Sequence, residues 1–338
     1  NISELLRAFD EAKKVFHKPT MIVARTLKGK GVSFMEGVVD WHGKSPKLEE
    51  LKIALKELGH EELLTEDLIK EAGAVRENIA KKYGNLIPAD ERPYWWNSGE
   101  NMKVKMSPTR AGFGASLARI GSDERIVCLG ADISSSICIY DFCKNNPERK
   151  NRFLSMGIAE QNMTVVAAGL AKEGKIPVIG SYGVFVTGRN WDQLRTTICY
   201  GNLNVKIAVG HGGISVGPDG ATHQALEDLT LLTILPNMKV VVPADSVEAD
   251  KATEEVVLRQ IGPCAVRFAR EATPIVTTQN TPFILGKANI YRFRHEAENF
   301  IDAFECIVSD KYKSEGESVC IIACGPMVPE ALRAAFIL

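Results

Sequence analysis

The sequence of 338 residues lacks the features that mark membrane, secreted or nucleic-acid-binding proteins. It has no apolar run of about eighteen residues, and its start, NISELLRAFDEAKK, lacks the charged-then-apolar pattern of a signal peptide. A net charge of -1 gives no general attraction to nucleic acid or to an anionic membrane. We therefore expect a cytoplasmic protein that binds neither of these, with any phosphate binding confined to a local site.

Patterns typical of disulfides or metal centres are missing as well. None of the eight cysteines forms a CxxC pair, and several lie in apolar, strand-like runs such as IVCLG and VCIIACG. This usage favours buried, reduced thiols.

From Thr109 onward the sequence alternates between helix-like and strand-like segments. The strand-like runs are RIVCLGADI, KIPVIGSYG, NVKIAVGH, MKVVVPAD and CAVRFAR. Strands that are apolar throughout and separated by helices predict an α/β fold, with a mostly parallel sheet covered on both faces. Sheets of this kind bind ligands at the carboxyl ends of their strands.

The flanking segments follow other patterns. Before residue 86 we predict a helix over residues 2–16, a buried strand PTMIVARTL, and further helices over residues 47–85. Residues 86–108 lose this periodicity, as a linker does. After Pro282, a strand-like EGESVCIIACG and a helix PEALRAAFIL begin a third segment. Both ends are expected to be parts of larger domains.

One carboxylate, Glu160, is surrounded by small and apolar residues in FLSMGIAEQNMTVVAAGLA. A helix here should be buried on most sides, and burial disfavours the charged form of an unpaired carboxyl. A protonated carboxyl can donate a hydrogen bond in catalysis. The structural alternative places Glu160 at the N-terminus of the helix, paired with the helix dipole or with an arginine.

A glycine-rich segment, GHGGISVGPDGATHQ, follows a predicted strand. Its glycines can bring His211, Asp219 and His223 together and let the backbone approach a ligand. Imidazoles in such a loop suit proton transfer and hydrogen bonding to hydroxyl groups. A surface loop with incidental histidines is the alternative. A metal site is less favoured, because the spacings match no compact ligand motif.

Cationic residues near turns are candidates for phosphate binding. His42 and Lys44 flank a glycine in DWHGKSP, Arg110 opens the helix TRAGFGASL, and Arg270 follows the strand CAVRFAR. An arginine can hold a phosphate through two charge-assisted hydrogen bonds. A solvated basic turn or structural ion pairs would use the same residues.

Over nearly its whole length the chain resembles transketolase. The resemblance rests, in order, on KPTMIVARTLKGKGVSFMEG, WHGK, TRAGFGASL, GADISSS, GIAEQNM, SYGVFVTGRNWDQLR, HGGISVGPDGATHQALEDL and CAVRFAREATP. Transketolase is a thiamine-diphosphate enzyme with three α/β domains. The implied organisation is the end of the diphosphate-binding domain in residues 1–90, a linker in 91–108, the pyrimidine-binding domain in 109–278, and the start of the C-terminal domain in 283–338.

The resemblance also implies roles for the candidate residues. Glu160 would hold a hydrogen bond to N1′ of the cofactor's aminopyrimidine. Other cofactor contacts would come from Asp132 and from stacking of Phe185 with Tyr182 or Trp191. The histidines near the reacting hydroxyl and carbonyl groups would be His42, His211 and His223, and Asp219 would select the sugar's hydroxyl configuration. The phosphate of the substrate would be bound by Arg110, Ser136 and Arg270, with Lys44 beside them.

The implied reaction transfers a two-carbon ketol unit from a ketose phosphate to an aldose phosphate through a thiamine-diphosphate enamine, as in the pentose phosphate pathway. The family's ligands for Mg²⁺ or Ca²⁺ should lie upstream of Asn1, so we expect no metal ligand within this chain. The isolated chain is then an incomplete transferase. Its implied partners are sugar phosphates and either a second copy in a homodimer or a complementary diphosphate-domain polypeptide.

Two other functions remain open. An enzyme like 1-deoxyxylulose-5-phosphate synthase shares the AEQ glutamate and the DGxTHQ loop, although WHGKSP and the AEQNM continuation favour transketolase. A non-catalytic subunit would keep the fold without turnover. The presence of Glu160 together with His211, Asp219 and His223 favours an enzyme.

Overall fold

The computed structural model describes residues 1–38, 41, 44–83, 104–295, 297 and 300–338. Two compact units form, Asn1–Arg92 and Pro93–Leu338. The helices described in the first unit are α1 (Ile2–Ala12), α2 (Leu48–Leu58) and α3 (Glu66–Tyr83). They confirm the helices predicted in residues 2–16 and 47–85, although α1 ends four residues earlier than predicted.

Two predicted strands are wrong. The segment PTMIVARTL is exposed along its length, and EGESVCIIACG is exposed except near its end. Neither is hydrogen-bonded to a neighbouring strand, and a strand cannot satisfy its backbone groups without one. As a consequence Cys320 and Cys324 are exposed, so the prediction of buried thiols fails for them. It is confirmed for four others, which are Cys128, Cys143, Cys199 and Cys264.

The second unit contains a six-stranded parallel sheet with the order β3-β2-β4-β5-β7-β6. The strands described along the chain are β1 (Met106–Pro108), β2 (Ile126–Gly130), β3 (Phe153–Ser155), β4 (Ile176–Tyr182), β5 (Lys206–Gly210), β6 (Lys239–Val241), β7 (Cys264–Arg267), β8 (Ala272–Pro274), β9 (Asn289–Phe293) and β10 (Phe304–Val308). Two antiparallel pairs, β1 with β8 and β9 with β10, lie outside the main sheet. Because β1 pairs with β8, the end of the predicted linker is a strand, while its residues up to 103 lie outside the described part.

Helices and short helical turns connect the strands. The helices described in this unit are α4 (Thr109–Ile120), α5 (Asp141–Lys144), α6 (Glu160–Lys172), α7 (Gly183–Gly188), α8 (Trp191–Gln193), α9 (Asp228–Thr233), α10 (Ser246–Glu254) and α11 (Met327–Ile337). Wider turns of π type continue α8 over Leu194–Cys199 and α10 over Glu255–Arg259. Among the described helices of the chain, none is long and apolar enough to cross a membrane.

Alternate strand residues point to opposite faces of the parallel sheet, so each face has its own apolar core. One core contains Phe113 of α4, which stacks on Phe268 with ring centroids 4.8 Å apart. The other contains Met163 of α6 and Leu129 of β2. The predicted α/β fold with a parallel sheet flanked by helices is thereby confirmed.

The carboxyl ends of the strands meet at one edge of this sheet. Tyr182 ends β4, Glu160 begins α6 after β3, His211 follows β5, and Arg270 lies three residues after β7. The chain reverses its direction across the sheet between the neighbouring strands β2 and β4, because β3 lies on one side of β2 and β4 on the other. A crevice at such a reversal is where open α/β sheets bind ligands.

The contact between α4 and α10 depends on glycine. A Cβ atom at Gly112 would overlap the carbonyl oxygen of Ser246. We predict that Gly112→Ala lowers the free energy of unfolding by about 1–3 kcal/mol, because a backbone atom must move. Urea titration followed by circular dichroism measures the change. The control is Gly169→Ala in α6, where nothing lies within 4 Å of the new atom. There alanine should stabilise by roughly 0.5–1 kcal/mol, and equal effects at both sites would contradict the assignment.

Candidate active site

Four rings form a cluster at the carboxyl edge of the sheet. Tyr182 stacks on His211 with ring centroids 4.1 Å apart and an angle of 23° between the planes. Phe185 lies 6.1 Å from Tyr182 and 5.1 Å from His223, which meets it edge-on. We refer to Tyr182, Phe185, His211 and His223 as the ring cluster.

The backbone brings the ring cluster together through unusual conformations. His211 adopts a φ of 56°, in a region that residues other than glycine seldom enter. Such conformations persist where the surrounding structure enforces them, and they are frequent at functional sites. Gly213, Gly217 and Gly220 have φ values of 79°, 71° and 77°, so the following loop turns sharply and carries His223 back to Phe185.

Hydrogen bonds connect the ring cluster to Arg110 and Ser136. The Ser136 hydroxyl lies 3.0 Å from the Tyr182 hydroxyl and 3.2 Å from Nε2 of His211. The guanidinium of Arg110 donates to the Ser136 carbonyl at 2.8 Å and lies 3.4 Å from the same Nε2. Because a guanidinium can only donate, Nε2 acts as the acceptor in this arrangement.

The other ring nitrogen of His211 is then the donor of the neutral imidazole. His211 is fully buried, and within the part of the chain that the structure describes its Nδ1 has no hydrogen-bond partner. Burial, assisted by the positive charges of Arg110 and Arg270, lowers the pKa of His211 to about 3. The site therefore contains a neutral imidazole at physiological pH, with a buried N–H that has no partner among the described residues.

Arg270 and Asp219 lie close to each other at the rim of the site. The Arg270 guanidinium donates to the carbonyl of Val216 and to the carboxylate of Asp219, the latter at 3.4 Å. Both side chains are about a third exposed, at 27% and 31%. A solvent-accessible pair of this kind is weak, so both groups can still bind a ligand.

Glu160 is buried and paired. Its side chain is 2% exposed, the Ser181 hydroxyl donates to Oε1 at 3.2 Å, and Nη1 of Arg189 lies 3.2 Å from each carboxylate oxygen. Glu160 is also the first residue of α6. The sequence alone allows either an unpaired or a paired carboxyl at this position. The structure shows the arrangement given as the structural alternative, with an arginine at the helix N-terminus, because a buried charge needs a partner.

Other predicted residues lie apart from the ring cluster. The Trp191 indole donates to the carbonyl of Leu231 at 2.8 Å, and its ring lines a surface pocket with Tyr200. Asp132 is exposed and has a φ of 63°. In the first unit, the Lys44 ammonium lies 4.2 Å from the centre of the Trp41 ring. The predicted residue His42 lies outside the described residues.

Sequence reasoning missed three charged residues that hold the site. Arg189 pairs with Glu160, and Arg267 forms a buried ion pair with Asp228 at 2.9 Å. The Arg267 guanidinium also packs against the backbone of Gly212, where a Cβ atom would overlap it. A charged residue at the end of the apolar run CAVRF is the signal that would have identified Arg267.

No metal centre is evident in the described ranges. Within them, no three side chains of histidine, cysteine, aspartate or glutamate are grouped so that they could hold a metal ion.

Comparison with known families identifies the class of protein to which this chain belongs. Residues 105–276 match the transketolase pyrimidine binding domain, and residues 1–113 match the transketolase thiamine diphosphate binding domain. The chain belongs to the transketolase family, which confirms the resemblance seen in the sequence.

Individual relatives give the same family. The chain is 40% identical over 232 residues to a putative transketolase C-terminal section of Methanocaldococcus jannaschii, covering 68% of this chain and 65% of that protein. It is 31% identical to human transketolase-like protein 2, covering 99% of this chain and 48% of that protein. It is 29% identical to human transketolase, covering 100% and 49%. The chain thus spans about half the length of these two human relatives.

Among solved structures, one described as a split gene transketolase, inactive beta4 tetramer, is 42% identical to this chain. The superposition has a TM-score of 0.46 and covers 52% of this chain and 55% of that one.

The buried imidazole predicts a pH-dependent stability. The pKa of His211 falls from an ordinary value of 6.5 to about 3 on folding, so between these values the unfolded chain binds a proton that the folded chain does not. Stability from this group is therefore complete above pH 6.5 and is lost as the pH falls. Between pH 7 and pH 5 the native protein should lose about 2 kcal/mol more than His211→Gln.

Urea titrations at several pH values measure this difference. The control is His295→Gln, which replaces an exposed histidine of the same unit. Parallel stability curves for the native protein and His211→Gln would contradict the assignment.

Proposed function

We propose that this chain is the pyrimidine-binding part of a thiamine-diphosphate-dependent transketolase, which transfers a two-carbon ketol unit from a ketose phosphate to an aldose phosphate. The main support is the position of buried Glu160 and the ring cluster, which occupy the ligand-binding edge of a parallel sheet in the segment matched to the pyrimidine domain.

The residues present fit the aminopyrimidine of the cofactor. Glu160 offers a carboxyl group to a ring nitrogen, Phe185 and Tyr182 offer aromatic faces, and Nδ1 of His211 offers a buried N–H without a described partner. Tyr182 is a better candidate than Trp191 for the second stacking ring, because the Trp191 indole is bound to Leu231. When bound, thiamine diphosphate supplies the carbon nucleophile that carries the two-carbon unit.

The remaining residues of the site suit a phosphorylated sugar. Arg110 and Arg270 provide cationic donors for a phosphate, and Ser136 adds a hydroxyl between them and the ring cluster. Asp219 beside Arg270 can accept a hydrogen bond from a sugar hydroxyl. The roles proposed for Asp132, Lys44 and His42 remain predictions.

The two histidines differ in what they can do with a proton. His211 is kept neutral by burial and by two arginines, so it positions a hydroxyl or carbonyl group without adding charge. His223 is half-buried, and its Nδ1 lies 2.8 Å from the Thr222 hydroxyl. A partly exposed imidazole beside a hydroxyl suits a general acid or base.

We also propose that the diphosphate and its Mg²⁺ or Ca²⁺ are held by a diphosphate-binding domain from a complementary polypeptide or from a second subunit. The support is the relative named as a putative C-terminal section, which shows that the family includes a protein described as one section of a transketolase. The cytoplasmic location and the pentose phosphate pathway remain predictions.

The proposed reaction is tested by replacing Glu160. In the presence of a complementary diphosphate-domain polypeptide, Glu160→Gln should lower two-carbon transfer from xylulose 5-phosphate to ribose 5-phosphate by at least roughly a hundredfold, because the amide cannot share a proton with the cofactor ring. The matched control is Glu173→Gln, an exposed carboxylate at the other end of the same helix. Unchanged turnover in Glu160→Gln would refute the catalytic role. Turnover of pyruvate with glyceraldehyde 3-phosphate instead would favour the synthase-like alternative.

A further inference from the structure

We propose that Arg189 is an internal competitor of the cofactor's aminopyrimidine. Its guanidinium binds both the carboxylate of Glu160 and the ring face of Phe185, and it has to withdraw from them when the cofactor binds. This inference rests on the proposed function, because it takes Glu160 and Phe185 as the groups that receive the pyrimidine.

The contact with Glu160 satisfies both carboxylate oxygens. Nη1 of Arg189 lies 3.2 Å from Oε1 and 3.2 Å from Oε2, while the Ser181 hydroxyl donates to Oε1. A guanidinium in this position occupies the carboxylate oxygens that a nitrogen heterocycle would need as hydrogen-bond partners.

The contact with Phe185 covers an aromatic face. The central carbon of the Arg189 guanidinium lies 4.0 Å from the centre of the Phe185 ring, which is the distance of a stacked cation. A guanidinium is planar and polar, like an aminopyrimidine, so one flat group takes the stacking surface and the carboxylate together.

Exposure indicates which partner can move. The Arg189 side chain is 45% exposed, whereas that of Glu160 is 2% exposed. Arg189 follows the end of α7, and its long side chain can turn into solvent, where the guanidinium is hydrated again. Glu160 begins α6 beneath the site and cannot leave it, so the arginine is the movable element.

Two consequences follow for cofactor binding. The measured affinity is lowered by the fraction of molecules in which Arg189 occupies the site, so removal of the guanidinium should strengthen binding. Withdrawal of the cation also breaks its ion pair with buried Glu160, so cofactor binding to the native protein carries a cost that Arg189→Met lacks.

The test is calorimetric titration of thiamine diphosphate with Mg²⁺, using the chain together with a complementary diphosphate-domain polypeptide. We expect Arg189→Met to bind about tenfold more tightly than the native protein, and Arg189→Lys to fall between them, because lysine keeps the charge without the planar fork. Removal of a purely structural arginine would weaken binding or leave it unchanged, so tighter binding distinguishes the two roles.

The matched control is Arg195→Met, which removes another exposed arginine that faces an aromatic ring, Trp191, at 5.7 Å. Its affinity for the cofactor should equal that of the native protein. Affinity that is unchanged or weaker in Arg189→Met, with native-like thermal stability, would overturn the inference while leaving the proposed function intact. If Arg189→Met is unstable, Arg189→Lys is measured in its place. Tighter binding than in the native protein then supports the inference, and unchanged or weaker binding overturns it. Absence of binding by every variant and by the native protein would overturn both proposals.

Discussion

The structure depends on a parallel sheet that is covered on both faces. Apolar side chains fill both cores, and the backbone groups of the central strands are satisfied by neighbouring strands. Polar side chains that act on a ligand are costly to place inside such cores, so the ends of the strands are where they collect. The candidate site residues of this chain follow that constraint, because Tyr182, His211 and Arg270 lie at or just beyond the carboxyl ends of β4, β5 and β7.

Electrostatic balance in the site is achieved in a different way for each buried group. His211 avoids charge altogether, because burial and two neighbouring arginines make protonation unfavourable. Glu160 pairs with Arg189, and Asp228 pairs with Arg267. The neutral His211 needs no cation as an ion-pair partner, whereas Glu160 and Asp228 each have one. A ligand that approaches Glu160 therefore alters an existing ion pair, whereas one that approaches His211 meets an N–H without a described partner.

The sequence predicted the fold and family well, because both are encoded in local patterns. Apolar runs separated by helical segments indicate a covered parallel sheet, and the order of motifs such as GIAEQNM indicates the family. Failures occurred where a local pattern depends on distant partners. PTMIVARTL has strand composition but no hydrogen-bonding neighbour in the structure, and the sequence did not indicate which arginine pairs with Glu160. Arg189 lies 29 residues from Glu160 along the chain, and only the fold brings the two together.

A polar contact lies next to the ring cluster. Arg267 at the end of β7 pairs with Asp228 at the start of α9, and its guanidinium packs against Gly212, next to His211. A Cβ atom at Gly183, next to Tyr182, would lie 3.2 Å from the Asp228 carboxylate. This buried ion pair thus touches the residues beside two of the four rings. Because removal of one partner would leave an unpaired buried charge, loss of either Arg267 or Asp228 would be strongly destabilising here. The left-handed backbone of His211 and the stacking of His211 on Tyr182 lie directly beside this contact.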